Sequence, residues 1–154
     1  MRALLVLLCC QLLAACGALK LQLPAEFLPL EERPDFKAVT ADDARVWCRE
    51  FSEPNGGDLA FWAETLRHDL VEQRGYTLVA EGDVADGDSH AGKWFECAAT
   101  VDGERRGYLV AVFRFDRGLL KKRPYVRTLE FTAREEDFQR LLPAVKQAIP
   151  TLQR

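Results

Sequence analysis

Histidine is nearly absent from this chain, with two residues in 154, and methionine occurs once. So little imidazole restricts base catalysis and metal binding to His68 and His90. No glycine pattern of the phosphate-binding kind occurs, and neither Ser52 nor Ser89 has the glycine-flanked setting of a hydrolase nucleophile. Basic residues give no surplus: 21 Lys and Arg stand against 24 Asp and Glu, a formal charge of -3, which excludes a general nucleic-acid binder. A long apolar run is missing too. The stretch Ala3 to Ala15 is apolar except for Gln11, but it falls short of the ~20 residues a membrane-spanning helix needs. Repeats and low-complexity segments are absent, and the length suits one domain with a real core.

That short run ends in Leu13-Ala14-Ala15-Cys16, with Arg2 as a minimal positive start. The pattern resembles the lipobox of bacterial lipoproteins, so residues 1-15 are expected to be a cleaved signal peptide. The resemblance implies a diacylglyceryl group (and an amide-linked acyl chain such as palmitate) on Cys16. Each buried methylene adds about 0.8 kcal/mol of membrane affinity, so three chains would hold permanently. Gly17 stands where inner-membrane retention usually has Asp, which favours the outer membrane and its periplasmic face. The partners expected are the membrane, through lipid on Cys16, and another envelope protein.

Residues 16-34 read as a lipidated tether. Pro24, Pro29 and Pro34 discourage regular structure, although Leu21, Leu23, Phe27, Leu28 and Leu30 are too apolar for a freely solvated linker. Residues 35-154 read as a single α+β domain. Phe36 to Thr40 and Arg45 to Phe51 suggest strands, with Val46 and Cys48 on one face and Trp47 and Phe51 on the other. Thr40 and Asp43 also have capping-box spacing, which keeps a helix in play there. Asp58 is a good N-cap for Leu59, Trp62, Ala63, Leu66 and Leu70 at helical spacing, and Gly75 suits the helix end. Strands are expected at Tyr76 to Glu81, Lys93 to Val101, Tyr108 to Phe115 and Tyr125 to Phe131, with a tight reversal at Asp102-Gly103. Thr132 and Glu135 suggest the cap of a second amphipathic helix through Phe138, Leu141, Leu142, Val145 and Ile149, kinked at Pro143. The fold class is therefore α+β, a mainly antiparallel sheet packed against two amphipathic helices.

Asp58 to Trp62 opening the first helix, Gly75-Tyr76 closing it, the strand pair around Asp102-Gly103 and Phe131-Thr132-Ala133 before the last helix together resemble the PsbP-like fold. That fold includes the PsbP subunit of photosystem II, a Ran-binding import factor and small bacterial lipoproteins. The resemblance implies a non-enzymatic binding or assembly role and carries no catalytic residue with it.

Cys48 and Cys97 are the cysteines of the domain body. An oxidising envelope would allow a bridge worth about 4 kcal/mol, but each also suits a buried thiol in a strand. Trp47, Trp62 and Trp94, with Tyr76 and Tyr108, could line a ligand groove or simply fill the core. Asp83, Asp86, Asp88 and His90 offer metal donors, yet the twelfth position of a calcium loop counted from Asp83 is Trp94, so a solvated acidic turn is expected and no metal. His68 reads as a surface residue. Glu50, Glu81, Glu96 and Glu130 are expected on solvated strand faces. The basic loop Arg117 to Arg123 reads as a solvated turn or a contact for anionic head groups. No cofactor is implied.

Overall fold

Two-residue alternation and tight turns organise the chain into seven strands: β1 (Leu28–Leu30), β2 (Phe36–Val39), β3 (Arg45–Ser52), β4 (Thr77–Ala85), β5 (Ala91–Val101), β6 (Glu104–Arg117) and β7 (Arg123–Arg134). Among the described residues these seven strands are accompanied by two α-helices, α1 (Leu59–His68) and α2 (Glu135–Ala148). The computed structural model describes residues 17–30, 34–54, 56–119 and 122–154. Cys16 and the signal peptide expected over residues 1-15 lie outside the described residues. The strands form one sheet in the order β1-β2-β3-β7-β6-β5-β4, antiparallel at every pairing. Of the described helices, none is long and apolar enough to cross a membrane.

The helices lie on opposite faces of this sheet. On one face α2 covers β6 and β7, burying Phe138, Leu141 and Val145 against Val46, Cys48, Leu109, Ala111, Phe113, Leu129 and Phe131. Phe138 stacks on Phe131 at 5.0 Å. A Cβ at Gly107 would fall 2.0 Å from the Phe138 ring, so glycine is what lets α2 approach the sheet. On the other face α1 covers β5 and β6, packing Ala63 and Leu70 on Phe95, Cys97 and Val110.

Local expectations hold with three adjustments. Asp58 caps α1 by accepting the Phe61 N–H at 2.8 Å, and Gly75 takes the left-handed conformation (φ 67°). Between them the helix widens into a π-helical turn, Asp69–Gln73. Thr40 to Ala44 is a turn, not a helix: the Thr40 hydroxyl accepts the Ala44 N–H, and Asp43 is left-handed (φ 63°). Thr132 does not cap α2, since β7 continues to Arg134 and the Thr132 hydroxyl donates to the Gly107 carbonyl. Pro143 sits inside α2 on its exposed side without ending it, where its lost hydrogen bond falls on the solvent face.

The tether expectation is corrected for residues 17–30. Leu19, Leu21 and Phe27 are buried in the main core, Lys20 pairs with Gln153, and β1 adds an edge strand. Their apolar side chains stabilise the domain, and the described chain joins the folded body from Gly17 onward.

Candidate functional site

α1 spans only two strands, which leaves the same face of β1, β2, β3 and β7 without a helix. Register places Leu28, Leu30, Lys37, Val39, Arg45, Trp47, Arg49, Phe51, Thr128, Glu130 and Thr132 on this open face. Here lies a groove of about 560 Å³, bounded by Leu30, Val39, Val46, Trp47, Tyr108 and Thr132 among others. A second hollow of about 340 Å³ continues it past Arg45, Arg106 and Val101. Its volume is that of a binding cleft, and its lining mixes aliphatic and aromatic side chains with the charged groups Lys37, Asp43, Arg45 and Glu130.

Trp47 forms the groove floor. Its indole N–H donates to Asp35 at 3.0 Å, while Lys37 and Arg49 lie over the ring at 4.7 and 4.1 Å. Arg49 donates to one Glu130 oxygen at 2.6 Å and the Tyr108 hydroxyl donates to the other at 2.7 Å. Burial first, then the Glu130 charge, pushes the Tyr108 phenol well above its ordinary range, so it remains a donor. Both Glu130 oxygens are thus engaged, which fixes the orientation of the trio. Arg49 Nε, Thr128 Oγ1 and Trp62 Nε1 are buried without a hydrogen-bond partner, outside the lining of the groove.

The predicted tryptophan groove is thus corrected. Trp47 lines it. Trp62 belongs to α1 and packs its ring against Phe51 of the sheet and Phe61 of the helix. Trp94 is on the opposite face, over Gly82 with Lys146 at 3.8 Å from its ring. Tyr108 belongs to the groove, whereas Glu130 and Arg49 were not legible as its members, because their pairing joins strands distant in sequence.

A second polar cluster closes the end of the main core. Arg127 is fully buried and donates to Glu50 at 2.7 and 3.0 Å and to Asp86 at 2.6 Å; Asp88 lies 2.9 Å away. Arg117 grips Glu50 with two bonds, and Arg154 adds a third cation. Burial opposes ionisation of Glu50, but these bonds outweigh it and hold its carboxyl below the ordinary range. His90 stacks on Phe115 at 3.9 Å and meets Asp86 at 3.0 Å. Asp86 is therefore a buried ion-pair partner, not part of a solvated turn. Asp86, Asp88 and His90 stand close enough to hold a cation, but Arg127 already occupies the space between the carboxylates. Glu50 and Glu96 are likewise buried, Glu96 against Lys146 at 2.7 Å, while Glu130 is half-buried; only Glu81 is exposed as expected. His68 is exposed.

No disulfide joins Cys48 and Cys97. Both are free and buried, on opposite faces and three strand spacings apart, roughly 14 Å and beyond the reach of a bridge. Burial, then the neighbouring Glu96 charge, pushes the Cys97 thiol up to about 11, and burial raises Cys48 further still.

No protein-family model matches the chain, and no curated protein matches it. Solved structures do. LpqN of Mycobacterium tuberculosis, involved in cell envelope biogenesis, superposes with a TM-score of 0.69 at 14% identity, covering 88% of this chain and 83% of its own. A Pseudomonas aeruginosa protein of unknown function, suggested to be a regulator, gives 0.57 at 19% identity with coverages of 90% and 98%. The Saccharomyces cerevisiae Ran-binding protein Mog1p gives 0.52 at 13% identity with coverages of 90% and 93%. At these identities the likeness establishes the fold, which agrees with the α+β class read from the sequence.

Proposed function

We propose that this chain is a lipid-anchored cell-envelope protein acting as a non-enzymatic binding or assembly factor, with the Trp47 groove as its binding surface. The observation that carries the binding role is that open half-face: a cleft lined by Trp47 and aliphatic side chains, with the Tyr108–Glu130 pair held in place by Arg49. The lipobox at Leu13 to Cys16 supplies the anchor, and Gly17 favours the outer membrane. Structural likeness to LpqN, itself involved in envelope biogenesis, supports the setting.

A photo-reactive residue at Arg45, in the groove, tests this in cells against one at Asp83 on the far edge strand. Position 45 is expected to capture one protein in near-equal amount, and Trp47→Ala to abolish the capture. Substrate turnover by the purified protein, lost on a point mutation, would sink the non-enzymatic reading. A second reading, a small-ligand lipoprotein, is favoured by the groove volume, which falls within the usual small-molecule range. A compound that raises the melting temperature of the wild type and not of Trp47→Ala would establish it.

A further inference from the structure

The residue that follows Cys16 is fastened to one end of the sheet. The Gly17 carbonyl accepts from Arg154 Nε at 2.7 Å, Lys20 and Gln153 exchange backbone hydrogen bonds, and Arg154 shares Glu50 with Arg117. Arg117 ends β6, so the β6–β7 hairpin emerges at this same end. Among the described residues of this connection Leu119 is 98% exposed, and Lys122 and Arg123 are exposed as well. Strands β6 and β7 then run away from it to the turns that border the groove, roughly 35 Å distant at the usual rise per residue.

We infer that the β6–β7 hairpin is a membrane-contact element: Leu119 enters the surface of an anionic bilayer while Lys122 and Arg123 meet its head-group phosphates. This rests on the lipoprotein reading, because lipid on Cys16 would bring this end, with little slack, against the bilayer. An apolar tip flanked by cations matches the chemistry of an anionic head-group layer over apolar chains. The domain then stands end-on, and the Trp47 groove, on a face of the sheet towards its far end, opens to the side and is free for a partner.

The test uses the full chain processed in a bacterial host and reconstituted in vesicles of phosphatidylethanolamine and phosphatidylglycerol. An environment-sensitive probe is placed on Leu119→Cys or, at the opposite end, on Arg105→Cys; both sites are exposed, and native Cys48 and Cys97 are buried. Acrylamide is expected to quench the probe at 119 several-fold less than the probe at 105. Replacing Lys122 and Arg123 with Ser, or the vesicles with phosphatidylcholine, is expected to remove that protection. Equal quenching at both sites, with intact mass showing lipid on Cys16, overturns the hairpin contact and leaves the lipoprotein reading standing. An unmodified Cys16 overturns the lipoprotein reading; the two probe proteins carrying also Cys9→Ser, Cys10→Ser and Cys16→Ser, added to anionic vesicles, then decide the hairpin, and absence of protection at 119 rejects it. Protection indifferent to both lipid charge and the loss of Lys122 and Arg123 also rejects it.

Discussion

Glu50 and Arg127 sit opposite each other on β3 and β7 with both side chains out of water, the guanidinium donating twice to one carboxylate oxygen. Removing one partner of such a pair strands the other's charge, which costs roughly 3–5 kcal/mol, more than the pair itself contributes. Arg127→Met leaves Asp86 and Glu50 to be neutralised by His90, Arg117 and Arg154. The expected loss is about 3 kcal/mol in urea unfolding. A loss under about 1 kcal/mol would show that the remaining cations compensate.

Glu50 also sets an acid limb of stability. Its folded pKa lies below the ordinary carboxyl value of 4.5, so the unfolded chain takes up a proton before the folded one does. Its contribution is complete above that value and is lost as pH falls through the lowered folded pKa. Glu50→Gln is therefore expected to flatten the fall in urea midpoint on acidification, while lowering the midpoint at neutral pH. An unchanged acid limb would assign it to other carboxylates.

Gly107→Ala tests the approach of α2. The new methyl would meet the Phe138 ring well inside contact distance, and overpacking of this kind costs roughly 1–3 kcal/mol. The paired change Gly107→Ala with Phe138→Leu is expected to recover part of that loss, measured by thermal unfolding. Full additivity of the two would mean that the helix simply shifts.

Cys48 and Cys97 are expected to resist alkylation in the native protein and to react together once urea unfolds it. Peptide mapping without reductant should recover two separately modified thiols. A linked peptide would contradict their placement on opposite faces.

What the sequence made legible was local. Alternation around Val46 and Trp47 placed them on opposite faces, and Asp58 and Gly75 marked the ends of α1 because capping needs only near neighbours. Glu50, Glu96 and Asp86 looked like ordinary solvated acids. Their partners are Arg127, Lys146 and again Arg127, brought close only by sheet register and helix docking, and no local pattern announces such pairs. The groove was half legible for the same reason. Trp47 and Tyr108 stood out as aromatics, but the open face exists because α1 is short, and Trp94 pointed the other way through a matter of register.

Lys20 and Gln153 lie almost a whole chain length apart, yet they close the main core together with Leu19 and Leu152. Contacts of such sequence separation carry a large loop-closure cost, so they form late. This seam is therefore expected to seal only after the antiparallel sheet is in place, which makes it the first part of the core to open again when the fold is weakened.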